Sequence, residues 1–251
     1  MVQIEPIRYK QFISWADRSP CNRVYPLSIA EGRQSGAIYV DALETPRSVL
    51  FWHYCGFAYI SGAVTESLLE EITADICHQS KRRMVLITDD TFAKDWLIRR
   101  GYRIADRIEY GYAGGGTWSE GPGKIDIERI DEDNLHRITG RIVPAFSWEE
   151  ERFLKDGFGY VVFERGAFCG AAFSAALCSK EVDIGVEVHP DYRQRGIATA
   201  LVGRMCNEIV SQGKKPVWAH AAHNTGSMRT AARCGFVRKR INMYSCLKQG
   251  E

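Results

Sequence analysis

Residues 188–202, VHPDYRQRGIATALV, place a basic loop with a glycine between two apolar runs. The preceding run, EVDIGVEV at 181–188, alternates apolar and polar residues with a period of two, which predicts a β-strand. The following apolar residues recur on one helical face from Ile197 to Ile209. A strand that enters a helix through such a loop exposes main-chain N–H groups at the helix N-terminus, so the junction favours phosphate binding.

The composition of this loop suits a diphosphate. Gly196 has no Cβ and lets a ligand approach the main chain closely, and Ala198 is small enough for the same purpose. Arg193 and Arg195 add positive charge, and Gln194 adds neutral donors. We therefore expect a phosphate-bearing cofactor here. An ordinary structural loop is the alternative, because Arg-x-x-Gly-x-Ala is a loose pattern.

The rest of the second half predicts further strands and helices around this junction. The predicted elements are an amphipathic helix at 130–142, two strands within 158–178 joined at Arg165–Gly166, a strand at 216–222, a helix at 226–236 and a strand at 236–247. Asp126 or Asp131 could cap the first of these helices, and Gly235 could end the second.

The first half repeats this order in weaker form. Its predicted elements are strands at 36–42, 48–62 and 82–88, and helices at 66–80 and 92–100. Thr65 could be the N-cap of the first helix, although Leu68 stands where a capping box needs Glu or Gln. Residues 101–110 and 235–244 share the spacing glycine, aromatic residue, seven residues, tyrosine. Between the halves, six of the fourteen residues at 111–124 are glycine, which is typical of a linker. We infer a degenerate internal duplication, with domains at 1–110 and 125–251.

Composition excludes several classes of protein. The formal net charge of +2 argues against strong nucleic-acid binding, although the basic segment RCGFVRKR at 233–240 keeps an interaction scaffold open as an alternative. The eight cysteines include no CxxC pair, so a zinc ribbon is not expected and no metal is predicted. No signal peptide and no membrane-spanning run of about 20 apolar residues is present, so we expect a cytoplasmic protein with reduced thiols.

Two motifs resemble the GNAT N-acetyltransferase superfamily. RQRGIA at 193–198, after VDIGVEVHPDY, resembles its acyl-CoA loop, and HNTGSMRTAARCGFV at 223–237 resembles its next motif. The resemblance covers residues 125–247, and the layout of two halves resembles a subgroup that includes zwittermicin-type resistance acetyltransferases. It implies an α/β fold (an α+β mixed sheet), with a degenerate N-terminal GNAT-like half and an active C-terminal half.

The resemblance also implies how acetyl-CoA, the co-substrate, would bind. Strands at 182–188 and 216–221 would splay apart to admit the pantetheine arm, which would pair with the main chain of Val186 and Val188. The N–H of Val188 would point at the thioester oxygen. The remaining cofactor-binding residues would be Arg193, Gln194, Arg195, Gly196, Ile197, Ala198 and Thr199 around the pyrophosphate, and Asn224 and Ser227 near the pantetheine. Asn224 could equally be a helix N-cap.

Catalysis would need a base, because an alkylammonium ion has no lone pair. Glu187 is the first candidate, since it lies in the strand between Val186 and Val188 with its side chain on the opposite face. A surface carboxylate on a half-exposed strand is the alternative interpretation. His220 and His223 are alternatives. Ala231 stands where many family members carry a tyrosine that protonates the leaving thiolate, which puts the acid step in doubt. Tyr244 could substitute, although an ordinary strand aromatic is the simpler interpretation.

The leading hypothesis is an enzyme that moves an acetyl group from acetyl-CoA to a primary amine of a small molecule or peptide by direct attack. A non-catalytic CoA-binding or sensor module is the alternative, and nucleic acid and membrane are not expected partners. The first half carries no counterpart of the loop and would cover the sheet or shape the acceptor cleft. AFSWEEERF at 145–153 could line that cleft, or could be a solvated helix start. The chain could form a homodimer, but the sequence does not decide the oligomeric state.

Overall fold

The computed structural model describes residues 1–116 and 125–248, so residues 117–124 of the predicted linker lie outside the described residues. The chain divides into two compact units. The first unit comprises Met1–Ile108 together with the residues from Arg240 onward, and the second comprises Glu109–Lys239.

The first unit contains five strands in full and four helices. The strands are β1 (Val2–Gln3), β2 (Gly36–Val40), β3 (Ser48–His53), β4 (Phe57–Gly62) and β5 (Val85–Thr88), and the helices are α1 (Ile13–Asp17), α2 (Val24–Ala30), α3 (Glu66–Glu70) and α4 (Thr91–Arg99). A 3₁₀ turn over Pro6–Phe12 precedes α1, and α3 continues as a π-helix over Glu71–Cys77. Strand β6 (Ala105–Tyr112) begins in this unit and ends in the second.

Strands β1 to β5 lie side by side in chain order. The parallel pair is β4 with β5, in register from Phe57 with Val85 to Tyr59 with Ile87, and the other pairs are antiparallel. Leu50, Trp52 and Trp96 belong to the core on one face of these strands. Every residue of α2 is buried, and its Tyr25 packs edge-on against His53 at a centroid distance of 5.1 Å.

The second unit contains strands β7 (Glu128–Arg129), β8 (Gly159–Glu164), β9 (Ala167–Leu177), β10 (Glu181–Val188) and β11 (Lys215–Ala221). Its helices are α5 (Glu150–Asp156), α6 (Ile197–Ser211) and α7 (Thr225–Arg233), with 3₁₀ turns at Leu135–Arg137, Pro144–Phe146 and Pro190–Tyr192. Strand β12 (Phe236–Cys246) begins in this unit and ends in the first, where Met243–Cys246 pair with β5.

The second-unit strands follow the order β11, β10, β9, β8, β7, with a parallel pair between β10 and β11 and antiparallel pairs elsewhere. Helix α6 packs on β8, β9, β10 and β11. Ile197, Leu201, Met205 and Ile209 form the predicted apolar face of this fifteen-residue helix and are buried. Burial of this face holds the helix on the sheet.

Most of the predicted elements are confirmed. Strand β10 covers 181–188 as predicted, and Gly235 ends α7 with a φ of +82°. Arg165 and Gly166 both have positive φ, as a two-residue hairpin turn between β8 and β9 requires. The Thr65 side chain caps α3 by accepting a hydrogen bond from the Leu68 N–H at 3.2 Å.

The amphipathic helix predicted at 130–142 is wrong. Only Leu135–Arg137 form a 3₁₀ turn there. The Asp131 carboxylate accepts N–H groups of Asp133 and Asn134, which closes a local turn rather than capping a long helix. Downstream, Gly140 has a φ of +133°, which no α-helix allows. Helices α1 and α2 also have no counterpart among the predicted elements.

The predicted domain limits of 1–110 and 125–251 stay a prediction. Residues Met243–Cys246 pair with β5, a long-range contact that the sequence pattern does not indicate. All eight cysteines are free thiols, and all but Cys246 are buried. Among the described residues, no helix is both long and apolar enough to cross a membrane.

Candidate functional site

Strands β10 and β11 pair over only part of their length. The parallel register runs from Glu181 with Lys215 to Asp183 with Val217 and ends there. On the other side of β10, the register with β9 shifts between Asp183 and Ile184. Five residues, 184–188, therefore continue beyond the parallel pairing while still pairing with β9. The parallel pairing thus ends where the sequence resemblance implies that the two strands splay apart.

The N–H groups of Val186 and Val188 point toward the side of β10 where β11 lies. The N–H of His189 donates to the Cys169 carbonyl of the β9 strand at 2.9 Å. Because main-chain N–H groups alternate in direction along a strand, those of Val186 and Val188 point away from β9. This is the geometry that added-strand pairing with a ligand requires.

The loop after β10 exposes main-chain donors. Gln194 and Gly196 both have left-handed backbones, with φ of +63° and +83°. No side chain caps α6, and a Cβ at Gly196 would meet nothing within 4 Å. In the described ranges, the N–H groups of Gln194, Arg195 and Gly196 have no hydrogen-bond acceptor. An α-helix of fifteen residues with open donors at its N-terminus is suited to an anion.

The two loop arginines have different partners. Both terminal nitrogens of Arg195 bind the Glu164 carboxylate, at 2.7 and 3.1 Å, and its guanidinium lies 5.2 Å from the Tyr192 ring. This fork raises the pKa of Arg195 and lowers that of Glu164. Arg193 donates from Nε to the Val188 carbonyl at 3.3 Å. The charge of Arg195 is thus already balanced by a carboxylate, which the sequence pattern does not indicate.

Residues 197–199 form the first turn of α6, with Ile197 buried and Ala198 and Thr199 half-buried. In the other motif, the Asn224 side chain caps α7 by accepting the Ser227 N–H at 3.0 Å. The Ser227 hydroxyl accepts the indole N–H of Trp218 at 3.0 Å. Both motif residues are therefore engaged in holding the start of α7.

Glu187 is bound by a loop distant in sequence. Its Oε2 accepts the N–H groups of Arg141, at 2.9 Å, and of Ile142. Its Oε1 has no hydrogen-bond partner among the described residues, and the side chain is half-buried. A Cβ at Gly140 would lie 2.9 Å from this carboxyl group. The segment predicted as a helix instead supplies donors to the candidate base.

His220 lies on the opposite face of the sheet from Glu187. Asp183 pairs with Val217, so odd-numbered residues of β10 and β11 share a face and His220 points to the other. There it is buried, with Nδ1 2.8 Å from the Ala221 carbonyl and Nε2 3.1 Å from the Tyr110 hydroxyl. Its ring also stacks on Tyr110 at 5.2 Å, and burial raises the pKa of Tyr110. His223 lies exposed after β11.

The position of the missing tyrosine is part of the core. Ala231 is fully buried in α7. Tyr244 pairs with Ile87 in the first unit. In the segment 145–153, Trp148 and Phe153 are buried and stack edge-on at 6.0 Å, and the Trp148 indole donates to the Ser174 carbonyl at 2.6 Å. Both aromatics pack inside the unit, whereas Glu149, Glu150 and Glu151 are exposed at the start of α5.

Comparison with protein families places these features in one of them. The family model described as GNAT acetyltransferase matches residues 26–246. The chain belongs to the GNAT acetyltransferase family. The match spans both halves, so the first half is part of the family architecture, although it carries no phosphate-type loop.

Solved structures agree with the GNAT fold. A GCN5-related N-acetyltransferase-like protein from Streptococcus suis is 21% identical, with a TM-score of 0.74 over 96% of this chain and 100% of that one. A GCN5-related N-acetyltransferase from Sphaerobacter thermophilus is 17% identical, with a TM-score of 0.57 over 100% and 96%. A tandem GNAT protein from the clavulanic acid biosynthesis pathway is 11% identical, with a TM-score of 0.59 over 97% and 95%. No curated protein matches the chain.

In the described part of the chain, no three His, Cys, Asp or Glu side chains form a group that could hold a metal ion. The loop after β10 offers main-chain N–H groups and the Arg193 guanidinium, and such donors suit phosphate oxygens.

Proposed function

We propose that this protein transfers the acetyl group of acetyl-CoA to a primary amine of a small molecule or peptide. The observation that carries the proposal is the open N-terminus of α6, where Gly196 has a φ of +83° and open space beside it. It lies next to the end of β10 that no longer pairs with β11. Donors that their own chain leaves unused favour an anionic ligand at this position.

The residues of the loop fit the diphosphate of coenzyme A. The N–H groups from Gln194 to Thr199 would bind its oxygens, with Arg193 adding charge from the edge of the loop. The N–H and carbonyl groups of Val186 would pair with the pantetheine amides, as an added strand does. The N–H of Val188 would face the thioester oxygen and stabilise the charge that develops there.

Acetyl transfer then follows by direct attack. The amine nitrogen forms a bond to the thioester carbon, and negative charge moves to the carbonyl oxygen near the Val188 N–H. The Glu187 carboxylate takes the proton that the nitrogen loses. As the carbonyl re-forms, the carbon–sulfur bond breaks and coenzyme A leaves as a thiolate, which water protonates.

The leaving step needs little help from the protein. A thiol of pKa about 8.5, by analogy with cysteine, is a good leaving group. Ala231 is buried and offers no proton, which is the observation that favours the alternative function, a CoA-binding module without turnover. The two functions differ in whether an amine is consumed.

The acceptor class is open to several amines, and assignment to the zwittermicin-type subgroup stays a prediction. The layout in two halves and the similarity to a tandem GNAT protein support a tandem arrangement. A small amine of a metabolite or antibiotic therefore comes first among the acceptors to be tested.

The deciding experiment is mass spectrometry of a mixed amine pool incubated with the protein and acetyl-CoA, together with calorimetry of coenzyme A binding. The pool contains polyamines, amino acids, aminoglycoside-type amines and peptide N-termini. Heat on coenzyme A addition and an amine that gains one acetyl group are the expected results. Heat without any acetylated amine selects the CoA-binding module, and no heat overturns both functions.

A further inference from the structure

The candidate base Glu187 has one oxygen fixed and one open. Its Oε2 accepts two consecutive main-chain N–H groups, those of Arg141 and Ile142, which lie 46 and 45 residues away in the sequence. Its Oε1 has no hydrogen-bond partner in the described parts of the chain. Two donors on one oxygen restrict the rotation of the carboxylate and fix the direction in which Oε1 faces.

Gly140 makes this arrangement sterically possible. Its φ of +133° is a conformation that residues with a Cβ rarely adopt. A Cβ there would lie 2.9 Å from both Cδ and Oε1 of Glu187. A methyl group would thus displace the carboxylate and cover its open oxygen. Gly140 is itself exposed, so an acceptor can approach Oε1 from this side.

We propose that Gly140 is a positioning residue for the acetyl-transfer reaction: it places the N–H groups of Arg141 and Ile142 so that Glu187 presents Oε1 to the acceptor amine. This inference rests on the proposed function. It also assigns a purpose to the segment 138–142, which is neither a helix nor a strand.

The first test compares Gly140→Ala with Glu187→Gln in thiol release from acetyl-CoA with the best amine of the pool. Glu187→Gln should lower kcat by about 10²–10⁴-fold, because the amide keeps an acceptor oxygen but takes no proton. Gly140→Ala should lower kcat by about 10²-fold, the usual effect of misplacing a catalytic group by about 1 Å. The KM for acetyl-CoA should stay within about twofold of wild type in both, since neither residue touches the loop at 193–199.

A double variant separates positioning from general structural damage. If Gly140 acts only through Glu187, Gly140→Ala combined with Glu187→Gln is no slower than Glu187→Gln alone. Gly166→Ala is the matched control, because Gly166 also has positive φ, at +83°, in an exposed turn of the same unit with nothing near its Cβ position. This control should retain wild-type kcat.

Amide proton shifts provide a reading that needs no acceptor. The N–H protons of Arg141 and Ile142 should resonate downfield in wild type, because each donates to a charged oxygen. They should move upfield in Glu187→Gln and in Gly140→Ala. The Gly166→Ala spectrum should match wild type at these two residues.

The outcomes distinguish this proposal from the proposed function. Additive losses in the double variant, or wild-type kcat in Gly140→Ala while Glu187→Gln is inactive, overturn the positioning role and leave the acetyltransferase standing. If Glu187→Gln retains wild-type kcat, Glu187 is not the base and Gly140 has no base to position. If the amide shifts respond as expected but no amine is acetylated, the contact is structural, and the proposed function fails with it.

Discussion

Each unit contains a strand–helix–strand segment, β4–α3–β5 in the first unit and β10–α6–β11 in the second. The N-terminus of the helix is capped by a side chain in the first segment and is open in the second. In the first unit, Thr65 caps α3 with its own side chain. The space beside Gly62, the last residue of β4, is filled, since a Cβ there would lie 2.1 Å from the Arg47 carbonyl. In the second unit, α6 has no side-chain cap and open space beside Gly196.

This difference is a physical reason for placing the proposed ligand site in the second unit and not in the first. A helix N-terminus has donors without partners inside the helix, and these are satisfied either by a side chain or by a ligand. In the first unit the Thr65 hydroxyl already accepts one of these N–H groups, and the Arg47 carbonyl occupies the space beside Gly62. In addition, α3 has only five regular α-helical residues, whereas α6 has fifteen. A glycine before the helix is therefore not sufficient for an anion site, because the space beside Gly62 is filled and the space beside Gly196 is open.

Among the substitutions that test this difference between the units, Gly196→Glu should have the largest effect, a loss of coenzyme A affinity. The change strains a left-handed backbone and places a negative charge where the diphosphate would bind, so coenzyme A affinity should fall by at least about 10²-fold. Calorimetry with coenzyme A measures it. Gly213→Glu is the control: Gly213 follows α6, has a φ of +72° and is equally open, and its variant should bind as wild type does. Equal losses in both variants would contradict a specific site at Gly196.

Gly62→Ala should affect folding and not ligand binding. A methyl group cannot fit 2.1 Å from the Arg47 carbonyl, and the φ of +100° adds strain. The free energy of unfolding should fall by roughly 2–5 kcal/mol in urea denaturation. Gly32→Ala, at a φ of +72° with open space, is the matched control and should cost clearly less. If folded Gly62→Ala bound coenzyme A more weakly than wild type, Gly62 would also affect ligand binding, and the prediction would be contradicted.

Acid should destabilise the first unit through His53. Burial, with a smaller contribution from the Arg82 charge, lowers the pKa of this histidine from 6.5 to about 3. The folded state therefore excludes a proton that the unfolded chain binds below pH 6.5, so stability is lost as the pH falls from 6.5 toward 3. The loss is about 1.4 kcal/mol per pH unit. His53→Gln should lack this slope when urea denaturation is compared at about pH 7 and about pH 5. Parallel slopes in both proteins would contradict it.

The smallest effects should come from the Glu164 and Arg195 pair. Because Glu164 already balances Arg195, Arg195→Ala should weaken coenzyme A binding by less than about threefold. Glu164→Gln should tighten binding by roughly two- to fivefold at low salt, and salt should reduce the gain. Glu132→Gln, an exposed carboxylate of the same unit, controls for net charge. Tighter binding in that control would show a general charge effect instead.

The elements on either side of the loop at 189–196 could be predicted because their signals are local. The period of two in 181–188 and the helical stripe from Ile197 to Ile209 each lie within one element, and both match the structure. The segment at 130–142 also has an apolar pattern, but its main chain is drawn into turns by Asp131 and into contact with Glu187. Tertiary contacts there override a pattern that would suit a helix in isolation.

The same distinction between local signals and long-range contacts applies to the candidate site. Glycine at 196 and the strand that carries Glu187 could be located from spacing alone. The partners of the charged groups could not, because Glu164 lies 31 residues from Arg195 and Arg141 lies 46 residues from Glu187. Likewise, only the register of β10 with β11 reveals that His220 faces away from Glu187.

The sequence by itself determined a strand, a loop with Gly196 and an amphipathic helix, since periodicity and the conformational freedom of glycine act within a few residues. The tertiary structure alone decided which helix N-terminus stays open, which arginine is already balanced by a carboxylate and which oxygen of Glu187 remains free. Those properties depend on groups that chain folding brings within about 3 Å, where hydrogen bonds form and steric exclusion operates.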